Sequence, residues 1–125
     1  MDKEMQKARR FNIVVFTAFV LIFVMAVFGL LRYKYWHTFT PGKWLEYPEK
    51  RAKMTADLFE DFDLIGMSED EIIELLGNNN NDYGYFNKDN RFVYYLGNER
   101  TIIDSEWLLI DFENNVVCDY SMTMD

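Results

Sequence analysis

The stretch GMSEDEIIELLGNNNND, Gly66 to Asp82, packs a helix start, a helix stop and a polar run into seventeen letters. Ser68 can cap a helix while Glu71, three residues on, reaches back to the cap, and Met67 can pack on Ile72 as a hydrophobic staple. Gly77 closes it, since glycine adopts a positive φ at little cost just past a helix end. Only two turns lie between cap and stop, too few for a helix to stand alone. Ile72, Ile73, Leu75 and Leu76 therefore need a sheet to pack on.

The sheet is expected downstream. RFVYYLG from Arg91, SEWLLIDF from Ser105 and NVVCDYSM from Asn115 are rich in aromatic and β-branched residues, with a hairpin turn at Glu113-Asn114-Asn115. Leu108, Ile110 and Phe112 alternate onto one face, as do Val116, Cys118, Tyr120 and Met122, which predicts a buried Cys118. Ser105, Asp111, Asp119 and Ser121 fall on the opposite, wetter face. A further short strand, Tyr83 to Phe86, is expected to pair with Arg91 to Leu96. Upstream, a helix is expected from Glu49 to Phe62, opened by Pro48, with Met54, Leu58 and Phe62 on one stripe.

Residues 11 to 31, FNIVVFTAFVLIFVMAVFGLL, carry no charge. At about 1.5 Å per residue they span roughly 30 Å, the thickness of a bilayer core. No small-residue cleavage site ends the run, and the only cysteine, Cys118, lies far from it, so a retained anchor is expected and lipidation there is excluded. RYKYWHTFTPGKWLEYPEK follows. Its rings and cations suit the headgroup layer, and Arg32, Tyr33, Lys34, Tyr35 and Trp36 are the expected membrane-interface residues, whereas Trp44 and Tyr47 fit equally well docked on the domain. The expected organisation is a basic tail (1–10), a transmembrane helix (11–31), a juxtamembrane linker (32–48) and an acidic α+β domain (49–125).

Charge divides the chain. Residues 1–54 hold ten Lys/Arg against four acids, a balance of +6, and residues 55–125 hold three against seventeen, a balance of −14. Nucleic acid is not an expected partner, because neutralising phosphates takes clustered cations. Cations flank the apolar run on both sides; Lys7, Arg9 and Arg10, close to its start, favour a cytoplasmic tail and an extracytoplasmic domain.

Catalytic chemistry has few candidates. His37, the only histidine, sits beside Trp36 in the expected interface. Asp104 and Ser105 adjoin without a histidine nearby in sequence. Asp61, Asp63 and Gly66 occupy positions 1, 3 and 6 of an EF-hand spacing, but Ile65 and Ile72 stand at positions 5 and 12, where oxygen ligands belong. No catalytic residue, metal, cofactor or small-molecule substrate is expected, and the Asn78 to Asp82 run reads as a solvated loop. Partner contacts are instead expected from aromatic side chains at Tyr83, Tyr85, Phe86, Tyr94 and Tyr95, should they be exposed.

Gly66-Met67-Ser68, Ile72 and Leu76-Gly77, then Tyr94-Tyr95-Leu96-Gly97 and Asp104-Ser105-Glu106-Trp107-Leu108-Leu109-Ile110, together resemble the small domains of the SmpA/OmlA (BamE) type. With Trp44, Pro48, Arg51, Met54 and Asp57-Leu58 upstream, the chain is similar to membrane-anchored relatives over roughly residues 44–122. The resemblance implies two helices on one face of a three-stranded sheet, shared with β-lactamase-inhibitor-like proteins, and a noncatalytic role binding envelope proteins. The best-known member works in outer-membrane β-barrel assembly from a lipid anchor; here a transmembrane helix replaces the lipidated cysteine. The alternative expectation is an acidic inhibitor or immunity protein, whose negative domain complements a basic toxin or enzyme.

Overall fold

The structure is a computed structural model describing residues 2–79 and 85–125. The chain forms two compact units, 1–35 and 36–125. The first is most of helix α1, Lys3–His37, which buries none of its residues and is long and apolar enough to cross a membrane.

The second unit is α+β. Helix α2 is Pro41–Glu46; a 3-10 turn, Pro48–Lys50, leads into α3, Arg51–Asp61; α4 is Glu69–Leu76. Strands β1 (Arg91–Gly97), β2 (Glu106–Glu113) and β3 (Val116–Met124) form an antiparallel meander in the order β1-β2-β3. One core fills the space between helices and sheet. Ala52, Met54 and Leu58 of α3 and Ile72, Leu75 and Leu76 of α4 meet Tyr94, Leu96, Leu108, Ile110, Phe112 and Val117 there.

The local devices are mostly those the sequence encodes. Ser68 caps α4, its Oγ accepting from the Glu71 amide at 3.1 Å, and the Glu71 carboxylate accepts from the Ser68 hydroxyl at 3.2 Å. Gly77 ends α4 at φ 79° and ψ −171°, a region open essentially to glycine alone, rather than in the left-handed helical well. Asn114 and Asn115 both hold positive φ, 53° and 65°, as a two-residue type I′ hairpin requires. Gly97, at φ 98°, lies so close to the Glu49 carbonyl that any Cβ would collide with it, and this contact seats the 3-10 turn on β1.

Four expectations need correction. Cys118 is exposed, because β3 carries a bulge: Asp111 pairs with Asp119 and Phe112 with Val117, leaving Cys118 between them. The extra residue shifts the alternation, so Val117 faces the core while Val116 turns to solvent. Second, the 32–48 segment is more than a linker, since the compact unit begins at Trp36 and Phe39 and Trp44 belong to the core. Thr40 caps α2 with Pro41 in the first turn, a start signal that the sequence does contain. Third, the helix expected from about Glu49 to Phe62 is present as α3 with its C-cap at Phe62, but its first turn, Pro48–Lys50, is 3-10 rather than α-helical. Fourth, Tyr85 and Phe86 form a turn and bend rather than a strand, and the rest of the expected Tyr83 strand start lies outside the described residues.

Trp44 is the hub of the core. It is fully buried, edge-on to Phe39 at 5.8 Å and to Tyr94 at 6.2 Å. The Arg51 guanidinium stacks 5.0 Å above its ring, and Arg51 donates to the carbonyls of Trp44 (2.7 Å) and Tyr95 (3.1 Å). One cation thus ties α2, α3 and the edge strand β1 together. Burial holds the Arg51 pKa below its usual value and pushes that of Tyr94 up, and the Tyr94 hydroxyl donates to the Gly77 carbonyl at 2.8 Å.

Candidate functional site

The face of the sheet turned away from the helices carries a second apolar cluster. Alternation puts Arg91, Val93 and Tyr95 of β1 beside Asp111, Leu109 and Trp107 of β2, in the pairs Arg91–Asp111, Val93–Leu109 and Tyr95–Trp107. Val93, Trp107 and Leu109 are buried, with Phe86 and Tyr95 packed against them. Asp119, Ser121 and Thr123 continue the face across β3. The expected wetter side is therefore half apolar, on β1 and β2, and half polar, on β3.

Three contacts build this surface. The Arg91 guanidinium grips the Asp111 carboxylate with two bonds, 2.6 and 3.2 Å, and donates to the Phe86 carbonyl at 3.2 Å. That fork folds the residues before β1 over the sheet and brings the Phe86 ring to 6.2 Å from Trp107. The bond to Asp111 raises the Arg91 pKa above its usual value. Tyr85 stands edge-on to Phe86 at 4.8 Å with 83% of its surface exposed. Trp107 lies 5.3 Å from the Tyr95 ring, and its indole N–H donates to Asp125 at 3.2 Å. Asp125 also accepts from the Ser105 amide at 2.8 Å, so the chain end is stapled to the start of β2.

Tyr85, Phe86 and Tyr95 thus come together on one surface. Tyr94 does not: it points into the core and is fully buried, so it leaves the set of partner anchors. Tyr83 lies outside the described residues. Arg32, Tyr33, Lys34 and Tyr35 are exposed on α1. Trp36 belongs to the second unit, where its ring meets Tyr47 edge-on at 5.1 Å and the Lys50 ammonium at 5.3 Å. Trp107, Arg91, Val93 and Leu109 were not among the expected site residues. The signal was present in Trp107-Leu108-Leu109-Ile110, an unbroken apolar run that implies a strand covered on both faces.

Arg91 and Asp111 satisfy each other, the Ser105 amide donates to Asp125, the Thr101 hydroxyl donates to the Asp104 carbonyl, and Asp63 accepts from the Ile65 amide in a turn. Among the described residues no three His, Cys, Asp or Glu side chains converge in a group that could hold a metal. The outer face is thus a set of aromatic rings around a buried tryptophan, held by the Arg91–Asp111 ion pair. Comparison with known protein families, curated proteins and solved structures returns no match.

Proposed function

We propose that the chain is a membrane-tethered, noncatalytic module of the bacterial cell envelope that holds another protein through the aromatic outer face of its sheet. This is the role the SmpA/OmlA (BamE) resemblance implies, with α1 as the single-pass anchor, the tail in the cytoplasm and the acidic domain outside it. The observation that carries the reading is the patch of Tyr85, Phe86 and Tyr95 around Trp107, held in place by Arg91. Aromatic anchors bury much area at small entropic cost, and a bound partner would cover the exposed Tyr85 ring.

A photoreactive amino acid at Tyr85, in the full chain in its native membrane, tests this. A discrete cross-linked protein, lost when Arg91→Ala releases the Phe86 segment, is the expected result; irradiation without any specific product would sink the reading. The acidic inhibitor or immunity role is the second reading, favoured by acids gathered at one end of the domain. The bridge between Ser68 and Val116 brings Glu69, Asp70 and Glu71 of α4 next to the β2–β3 hairpin with its Glu113. A basic enzyme seated there would associate faster at low salt, and salt-independent association would count against it.

A further inference from the structure

The β1–β2 connection, Asn98 to Ser105, is built to project two apolar side chains. Ile102 and Ile103 are 84% and 87% exposed. The Ile103 amide donates to the Thr101 carbonyl at 2.8 Å across Ile102, whose φ is 70°, and the Ile102 amide donates to the Asn98 carbonyl at 2.9 Å. Ile102 is thus the centre of the rare, strained γ-turn, in a conformation that β-branched residues avoid. The Thr101 hydroxyl bonds the Asp104 carbonyl, and Arg100 closes the base with two bonds to Glu106, 2.8 and 2.7 Å. A loop this firmly tied does not display isoleucine by slackness. Strain of this kind is stored where function needs it.

The loop's position narrows what covers it. In a meander the β1–β2 loop and the β2–β3 hairpin lie at opposite ends, so the isoleucines sit away from the acids of Glu113 and the α4 start. Glu99 in the same loop is bound by Lys50 at 2.7 Å and Lys53 at 3.1 Å, and Lys50 lies over the Trp36 ring. Trp36 is where the compact unit begins, five residues after the apolar run ends at Leu31, a reach of at most roughly 18 Å. Loop and chain entry therefore share one end of the unit. Of the acids at this end, Glu99 is bound by two lysines and Glu106 by Arg100, while Asp104 and Asp125 stay charged beside the isoleucines, so the apolar side chains rather than charge would carry the contact. Two aliphatic side chains at a loop tip suit lipid, which has no pockets, better than a protein hot spot, which draws on aromatic rings and arginine.

From this we infer that Ile102 and Ile103 form a second membrane contact, dipping into the headgroup and acyl boundary. The inference rests on the anchor reading of α1. Its test uses the full chain with Cys118→Ala, reconstituted in phosphatidylcholine–phosphatidylglycerol vesicles and spin-labelled at Leu21→Cys, Asp104→Cys or Asn114→Cys. Accessibility to a water-soluble nickel relaxant and to oxygen reports depth. A label at 104 shielded from nickel severalfold relative to 114, with the shielding lost in Ile102→Asp/Ile103→Asp, is the expected result. Equal nickel accessibility at 104 and 114, with 21 shielded, overturns the loop contact and leaves the anchor standing. Accessibility at 21 overturns both. The comparison of 104 with 114 in the unaltered loop decides the matter even if the double variant does not fold.

Discussion

Replacing Arg51 with methionine removes the cation that joins three elements of the domain. The new side chain keeps an apolar stem against Trp44 but leaves the Trp44 and Tyr95 carbonyls without their donors. Two charge-assisted bonds at about 1.5–3 kcal/mol each, together with stacking over the Trp44 ring worth about 1–2 kcal/mol, set the gross loss. Relief from burying the guanidinium returns part of it, so a net destabilisation of roughly 3–4 kcal/mol is expected. A unit of this length has about 5–13 kcal/mol to lose, and urea unfolding of the full chain in micelles, followed by near-ultraviolet circular dichroism of the tryptophans, would shift by about 2 M at a slope of roughly 1.5–2 kcal/mol/M. Arg51→Lys, able to reach one carbonyl but not both, should fall between. A loss below about 1 kcal/mol for Arg51→Met, or full stability for Arg51→Lys, would refute the role assigned to the guanidinium fork.

Ile102→Gly relieves the strained γ-turn and should raise stability by about 1 kcal/mol, read in the same unfolding assay, while weakening vesicle shielding at position 104. Acid should weaken the β1–β2 loop: the Arg100 bonds hold the Glu106 pKa below its ordinary value, and the Lys50 bond does the same for Glu99. Their contribution is complete above the unfolded carboxylate pKa of about 4.3 and is lost as pH falls through the lowered folded values; hydrogen exchange of the 98–105 amides against pH measures it, and Glu106→Gln should flatten the profile. A single Leu21→Arg should leave the chain in the membrane, because one central arginine costs about 2.5–3.5 kcal/mol against an apolar run worth on the order of 5–9 kcal/mol; carbonate extraction that releases this variant would contradict the anchor.

Where the sequence was legible, a local rule and the tertiary structure agreed. The Ser68 cap, the Asn114-Asn115 turn and the apolar runs of β1 and β2 each specify their element alone, and the α+β meander follows. The bulge at Cys118 was not legible, since one unpaired residue inverts the alternation of β3 and nothing in Val-Val-Cys-Asp-Tyr marks where it falls. Trp44 was ambiguous for a different reason: tryptophan suits a headgroup layer and a core equally, and only its place on α2, under Arg51, decides between them. The candidate face was half readable. Its exposed aromatics were named, but the Arg91 fork that assembles them joins residues twenty apart, a pairing set by strand register.

The bulge supplies the probe for the tether itself. Cys118 is the only cysteine and is exposed, so an impermeant maleimide can report the side of the membrane on which the domain lies without any substitution. Labelling of Cys118 in intact cells, in a chain whose intact mass retains α1 and that resists carbonate extraction, is the predicted result. Labelling only after lysis would place the domain in the cytosol and contradict the account of an anchored module facing the envelope.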